Sequence, residues 1–254
     1  MNDLTGGMDL NGRSRRAALL HLGLAASAVA LTTGAARPAG GANVATGAGE
    51  DLMRVGMVVF DGFQLLDVFG PLEMFGALRD RLRIVVIAQK TGLVASSAGP
   101  AVAVDHAFAD APDLGVLLVP GGMGTRREVD NAALVEAVKA LALKTPHVAS
   151  ICTGAAILAR TGLLDGAKAT TNKRAFAWAT AQGPKVDWIE RARWVEDGKY
   201  FTSSGISAGM DMSLALIAKL FGGDTATRVA NGAEYRWNSD PGDDPFAALN
   251  GLAR

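Results

Sequence analysis

The chain has 254 residues, of which 49% are apolar and 20% are charged. Such a chain can bury a full core, so its composition excludes a disordered or collagen-like protein despite 31 glycines. Lysine and arginine together number 25, as do aspartate and glutamate, which leaves no basic surplus for a phosphate backbone and argues against a nucleic-acid partner. The single cysteine cannot form an internal disulfide, and three scattered histidines do not indicate a metal site.

Residues 1–50 have the pattern of an export segment. Arg15 and Arg16 precede a weakly apolar run, 17–32, as in a twin-arginine signal peptide. That run is short for the roughly 20 residues that a membrane span needs, although a retained anchor is the alternative. A stretch rich in glycine and alanine, 34–49, then predicts a flexible, cleavable linker. We therefore expect a periplasmic or extracellular protein with no stable membrane association after cleavage.

Residues 51–254 alternate between short apolar strands and helices. Strands are predicted at 54–60, 83–88, 114–119 and 147–151, with short paired strands at 94–97 and 101–105 and a hairpin at 194–203. Helices are predicted after Pro71, at 132–143, from 154, from Ser207 and from Asp224. This alternation predicts a single doubly wound, flavodoxin-like α/β domain with a mostly parallel sheet and helices on both faces. The acidic stretch from Asp240 to Asp244 is interpreted as a solvated turn.

Cys152 lies where a predicted strand turns into a helix. In open parallel sheets ligands bind beyond the carboxyl ends of the strands, and Gly154 would let a ligand approach this turn closely. The arrangement is typical of a nucleophile elbow, at which a helix N-terminus can lower the pKa of a cysteine. The alternative is a buried cysteine that acts as a small apolar side chain. The position at the turn favours a reactive thiol.

The best candidate partner for this thiol is Asp67. His147 lies at the opposite end of the same predicted strand, roughly 16 Å away, so it cannot act as the base. His106 follows a strand outside the main sheet and is interpreted as a surface or turn residue. Asp67 follows the first strand among apolar neighbours that would raise its pKa, which suits a group that exchanges protons. The alternative is that Asp67 caps the helix containing Pro71.

Two glycines, Gly121 and Gly122, follow the third main strand. Their small size would let backbone N–H groups approach a developing anion, and the amide of Thr153 could complete an oxyanion site. The following residues fit neither a dinucleotide fingerprint nor a phosphate-binding loop, because Arg127 occupies a position that needs a small residue. We therefore expect neither a cofactor nor a metal ion.

Four segments together resemble the ThiJ/PfpI superfamily, whose fold is like that of class I glutamine amidotransferases. They are 61–71 (DGFQLLDVFGP), 119–122 (VPGG), 151–155 (ICTGA) and 203–211 (SSGISAGMD). Their combination resembles the isocyanide (isonitrile) hydratase branch. The resemblance implies that Cys152 is the nucleophile and Asp67 its acid/base partner. It also implies that the backbone amides of Gly122 and Thr153 line the anion site, and that the protein is a homodimer.

The chain departs from the superfamily at three positions. Members with protease, deglycase or chaperone-like activity typically have histidine after the cysteine and glutamate after the first strand, where this chain has Thr153 and Asp67. Hydratase-like relatives often have Thr-Thr-His-Trp where this chain has Asn172 in place of the histidine. Asn172 and Ser204 both follow presumed strands near the site and are either substrate contacts or turn residues.

The leading hypothesis is a cofactor-free cysteine enzyme that hydrates a small isocyanide to an N-formamide. A non-enzymatic redox-sensing or ligand-sensing module is one alternative, since superfamily members also form domains of AraC-type regulators. Glyoxalase or deglycase activity is another, although it normally pairs the cysteine with histidine or glutamate.

Overall fold

The computed structural model describes residues 52–252. They fall within one compact unit, Gly47–Arg254. The predicted export signal and linker, residues 1–50, lie outside the described residues.

Short strands form a main sheet and two small two-stranded sheets within residues 52–252. Their bounds are β1 Met53–Val58, β2 Leu82–Ala88, β3 Gly92–Ala95, β4 Ala101–Val104, β5 His106–Ala107, β6 Val116–Val119, β7 His147–Ser150, β8 Lys168–Ala169, β9 Asp187–Trp188, β10 Trp194–Asp197 and β11 Tyr200–Ser203. All four residues of β6 are buried, as expected for a central parallel strand with both faces covered.

Helices alternate with these strands along the chain. Their bounds are α1 Leu65–Gly76, α2 Thr125–Glu128, α3 Ala132–Lys144, α4 Gly154–Arg160, α5 Phe176–Thr180, α6 Ala208–Phe221, α7 Gly223–Gly232 and α8 Pro245–Leu249. A 3₁₀ turn at Phe108–Asp110 follows β5. Helix α1 packs against α6, and α3 packs against α4.

The main sheet has seven strands in the order β10-β11-β7-β6-β1-β2-β5. Strand β10 pairs with β11 antiparallel, and every other pairing in this sheet is parallel. The prediction of a doubly wound α/β domain with a mostly parallel sheet and helices on both faces is therefore confirmed. The predicted hairpin at β10–β11 and the separate antiparallel pair β3–β4 are also present.

The C-terminal segment differs from the sequence-based interpretation. Asp244 is buried rather than solvated: its carboxylate accepts a hydrogen bond from the Phe246 N–H at 3.0 Å and lies 3.3 Å from the Lys173 Nζ. It thereby caps α8, a helix that the sequence pattern did not predict, and joins α8 to the segment after β8. Residues 240–243 are exposed and contain a turn, as interpreted from the sequence, so the difference is confined to Asp244.

Candidate active site

Cys152 occupies a strained turn between β7 and α4. Its φ angle is +58°, a left-handed conformation that non-glycine residues seldom adopt. The backbone N–H of Cys152 donates to the carbonyl oxygens of Ser203 at 3.2 Å and Ser204 at 3.0 Å, so the neighbouring strand β11 holds the turn in place. Strain maintained in this way is common at functional sites and is the signature of a nucleophile elbow. The predicted strand-to-helix turn is therefore present.

The Cys152 side chain is buried, with 6% of the residue exposed. Burial and, to a smaller extent, the negative charge of Asp67 raise the pKa of the thiol to about 12. Hydrogen bonds from the backbone of Ile206, the backbone of Thr153 and the side chain of Asn172 oppose this rise. The Thr153 N–H at the start of α4 does lower the pKa of this cysteine, as expected of a helix end, but desolvation outweighs the donors and the net change is a rise. In the resting site Cys152 is a thiol at neutral pH.

Asp67 is fully buried beside Cys152. Burial raises the pKa of its carboxyl from 3.8 to about 7, although hydrogen bonds with Gly121 and Cys152 act in the opposite direction. The Oδ2 atom accepts from the Gly121 N–H at 2.9 Å, and Oδ1 has no nitrogen or oxygen donor within residues 52–252. The structure thus supports the expected rise in the pKa of Asp67 and places next to the thiol a carboxyl group that can exchange protons at neutral pH.

Helix α1 fixes the position of this carboxyl. The helix begins at Leu65 with Gln64 at the N-cap, so Asp67 lies within the first turn and does not cap the helix. The alternative assignment of Asp67 as a cap is therefore wrong. Pro71, expected at the start of the helix, lies inside it instead. Because proline has no N–H, it cannot donate the helical hydrogen bond to the carbonyl oxygen of Asp67, four residues earlier.

The two glycines after β6 pack closely against their neighbours. A Cβ atom on Gly121 would lie 2.6 Å from the Thr153 nitrogen and 2.8 Å from the Asp67 Oδ2. Gly122, at a φ of +135°, donates its N–H to the Thr153 Oγ1 at 3.1 Å. Gly122 lines the same cavity as Cys152, so its place at an anion site stays a prediction, whereas the Gly121 amide is already bonded to Asp67. Of the expected amides, only that of Thr153 contacts the sulfur.

Ile206 supplies the second backbone donor to the sulfur, which sequence reasoning missed. Its φ angle is +40°, so it is a second strained non-glycine residue at the site. It lies within the 203–211 segment that carries the family resemblance, but nothing about an isoleucine side chain marks its backbone as functional. Its strained loop lies between β11 and α6.

Asn172 and Ser204 have different roles. The Asn172 side chain hydrogen bonds to Cys152, and its Oδ1 accepts from the Ala175 N–H at 3.0 Å, which fixes the orientation of the amide. A Cβ atom on Gly205 would lie 2.6 Å from the Asn172 Nδ2, so a side chain there would displace this amide. Ser204 supports the elbow through its carbonyl oxygen and lines a neighbouring cavity of about 250 Å³, not the cavity of Cys152.

A cavity of about 590 Å³ contains Cys152, Thr153, Asn172 and Ile206 in its lining. Volumes of this order are typical of small-molecule sites. The lining also includes three residues that sequence reasoning did not select, Arg126, Arg174 and Trp178. A thiol, a carboxyl with a pKa near 7 and a small cavity together form a site suited to nucleophilic catalysis.

Residues 52–252 contain no group of three or more His, Cys, Asp or Glu side chains that could hold a metal ion. In the same part of the chain, no helix has the length and apolar character required to cross a membrane.

Comparison with known proteins identifies related sequences and a related fold. The model of the DJ-1/PfpI family matches residues 53–219. Isonitrile hydratase from Pseudomonas putida is 34% identical over 185 residues, which are 72% of this chain and 78% of the relative. The HTH-type transcriptional regulator GbdR of Pseudomonas aeruginosa is 29% identical over 181 residues, which are 69% of this chain but 49% of the regulator. A crystal structure of a ThiJ/PfpI family protein from Pseudomonas syringae superimposes with a TM-score of 0.68 at 31% identity, covering 83% of this chain and 84% of the other.

Proposed function

This chain belongs to the DJ-1/PfpI family, and on that premise we propose that it is a cysteine-dependent hydratase of small isocyanides. The observation that carries the proposal is the pairing of Cys152 with Asp67, a carboxyl group whose pKa is raised to about 7. A group with this pKa can both accept and donate a proton near neutral pH. The similarity to an isonitrile hydratase over most of the chain supports the same reaction.

The first step joins the thiol to the substrate. The Cys152 sulfur attacks the terminal carbon of the isocyanide, R–NC, as the Asp67 carboxylate takes the thiol proton. Asp67 then passes that proton to the same carbon, which gives the thioimidate R–N=CH–S–Cys. Because the resting thiol has a pKa of about 12, proton removal and carbon–sulfur bond formation must be closely coupled.

Water completes the reaction. Asp67 accepts a proton from a water molecule as the water oxygen adds to the thioimidate carbon, and it passes that proton to the substrate nitrogen. The carbon–sulfur bond then breaks, and Asp67 carries the hydroxyl proton of the adduct to the sulfur as the N-formamide, R–NH–CHO, leaves. The three donors around the sulfur, from Thr153, Ile206 and Asn172, stabilise the negative charge that develops on it in each step. The balance is one isocyanide and one water consumed for each formamide, with no cofactor.

A ligand-sensing role is the second candidate, and the similarity to a transcriptional regulator supports it. A redox-sensing role is less favoured, because a buried thiol with a pKa of about 12 holds little of the thiolate that peroxide oxidises. Deglycase activity is also less favoured, because Thr153 and Asp67 stand where members with that activity typically have histidine and glutamate.

We further propose that the protein is exported, as the Arg15–Arg16 pattern indicates, and that it acts as a homodimer. Fractionation of cells that make the full chain would test its export, and size-exclusion chromatography with light scattering would test the dimer. A cytoplasmic protein or a monomer would contradict these respective proposals.

The reaction can be tested with a panel of an alkyl isocyanide and methylglyoxal. We expect ¹H NMR to show N-formamide from the isocyanide with the unaltered protein and none with Cys152→Ala. Far-UV circular dichroism of Cys152→Ala should match that of the unaltered protein. Equal turnover by both proteins, or lactate from methylglyoxal without any formamide, would contradict the proposal. Tight binding of the isocyanide without turnover would favour a ligand sensor.

A further inference from the structure

Two guanidinium groups line the cavity of Cys152. They belong to Arg126, a residue of α2, and to Arg174, which lies between β8 and α5. No carboxylate is among the residues that line this cavity. Asp67 contacts Cys152 but is not a lining residue. The walls of the cavity therefore carry two positive charges and no negative charge.

The Arg126 side chain is held in place by uncharged partners. Its guanidinium carbon lies 4.1 Å from the centroid of the Trp178 ring. Its Nη1 donates to the Thr125 Oγ1 at 3.2 Å and weakly to the Gly122 carbonyl oxygen at 3.4 Å. An arginine that is stacked on tryptophan and bonded to neutral oxygens keeps its full charge and loses little entropy when it binds an anion.

Arg174 reaches the cavity from a segment that is anchored on both sides. It follows Asn172, which bonds to the Cys152 sulfur, and Lys173, whose buried Nζ pairs with Asp244. Arg174 itself is exposed and forms no ion pair within residues 52–252. The backbone around it is therefore fixed while its charge is not neutralised by a described residue.

We propose that this cavity takes a small carboxylate-bearing substrate, with Arg126 and Arg174 binding the carboxylate while Cys152 meets the electrophilic carbon. Guanidinium groups match the planar, two-oxygen geometry of a carboxylate, and the volume of about 590 Å³ suits a small organic molecule. The identity of the electrophile rests on the proposed isocyanide chemistry, whereas the preference for an anion does not.

Alkylation of the only cysteine in the chain tests this preference without any isocyanide. Iodoacetate and iodoacetamide both form a carbon–sulfur bond with the thiolate and release iodide, but only iodoacetate is an anion. The ratio of their rates, divided by the same ratio for N-acetylcysteine, measures the preference of the site. We expect this normalised ratio, iodoacetate over iodoacetamide, to be roughly ten at low salt. It should fall as the salt concentration rises.

Variants connect the ratio to the two side chains. Arg126→Gln and Arg174→Gln should each lower it several-fold, and Arg126→Lys should give an intermediate value because lysine keeps the charge but not the planar fork. Arg83→Gln is the matched control, since Arg83 is an exposed residue of β2 that does not line the cavity. Thermal unfolding will report whether the Arg126→Gln protein folds. If that protein does not fold, the ratio measured for Arg174→Gln still tests the proposal, because Arg174 is exposed and its replacement should not disturb folding.

Calorimetry gives a second measurement that does not require the thiol. Cys152→Ala should bind N-formylglycine roughly tenfold more tightly than the uncharged N-formylglycinamide. A normalised alkylation ratio near one, equal affinity for the two formyl compounds, or arginine variants that behave like Arg83→Gln would overturn the proposal. If the unaltered protein shows the anion preference but does not convert an isocyanide, only the proposed reaction is contradicted.

Discussion

The backbone N–H of Gly121 donates a hydrogen bond to the Asp67 Oδ2 at 2.9 Å and so joins the end of β6 to the proton-exchanging carboxyl. This contact depends on the absence of a side chain. A Cβ atom on residue 121 would lie 2.6 Å from the Thr153 nitrogen, which is backbone and cannot easily move. The geometry of Asp67, Thr153 and Cys152 therefore depends on a glycine at this position.

Gly121→Ala should consequently disturb both stability and catalysis. We expect it to lower the free energy of unfolding by roughly 1–3 kcal/mol through overpacking, and to reduce kcat for isocyanide hydration. Gly76→Ala is a matched control, because a Cβ atom there would meet only the Ile84 Cδ1 at an ordinary 3.7 Å. Urea denaturation and steady-state kinetics measure the two effects. A Gly121→Ala protein that matches Gly76→Ala in both would contradict the packing argument.

Asp67→Asn separates proton transfer from the charge of the carboxylate. The amide has a similar shape but cannot exchange the proton, so kcat should fall by roughly 10²–10⁴-fold. The pKa of Cys152 should fall, because the negative charge that raises it is removed. Kinetics and titration of thiolate absorbance test the two parts. Glu73→Gln, an exposed change on the same helix, should alter neither. An active Asp67→Asn protein would exclude Asp67 as the proton carrier.

Activity should also depend on pH through the same carboxyl. The reactive form in the proposed first step has a neutral thiol and an ionised Asp67, so kcat/KM should rise through an apparent pKa near 7. Because the two groups interact, this value belongs to the pair. A profile that is flat between pH 5.5 and 8.5, on the order of three pH units around this value, would contradict the mechanism.

Much of the arrangement at the carboxyl ends of the strands could be predicted from the sequence. Short apolar runs locate the strands, and the rule for parallel sheets then places Asp67, Gly121 and Cys152 at the same edge. The environment of each group is harder to predict. Apolar neighbours in the chain indicate a raised pKa for Asp67, but the depth at which Cys152 is buried depends on residues from several elements, and that depth reverses the expected direction of its pKa.

Other parts of the site leave no local signal in the sequence. Arg126 and Trp178 are far apart in the chain and meet only through the fold, so no spacing rule indicates their contact. Ile206 contributes its backbone, which its side chain does not reveal. The pairing of Lys173 with Asp244 likewise buries two residues that usually lie at the surface.

The raised pKa of Asp67 predicts how stability changes with pH. The folded protein holds this proton up to about pH 7, whereas the unfolded chain releases it near its ordinary value of 3.8. The corresponding stability is fully present below that lower value and is lost as the pH rises through about 7. Its size is on the order of 4 kcal/mol. Relative to Asp67→Asn, the unaltered protein should therefore become less stable between pH 4 and pH 8.

Urea denaturation of both proteins across this range provides the measurement, since groups that titrate identically in the two cancel in the difference. The difference between Gly76→Ala and the unaltered protein should stay nearly constant, because that substitution changes no titratable group. A pH-independent difference for Asp67→Asn would show that the carboxyl is not desolvated in the folded protein.

Asn172 offers a test of the donors around the sulfur. Its Oδ1 accepts from the Ala175 N–H, and its side chain bonds to Cys152. Asn172→Asp keeps the acceptor but replaces the donor with a negative charge, which should raise the pKa of Cys152. We expect the rate of alkylation by neutral iodoacetamide to fall by roughly tenfold, since loss of a hydrogen bond to a charged group has about this effect.

Asn172→Ala, which removes the donor without adding charge, should give a smaller decrease. Asn250→Asp, at an exposed position that does not line the cavity, is the matched control. If Asn172→Asp and Asn250→Asp react at the same rate, Asn172 does not stabilise the thiolate.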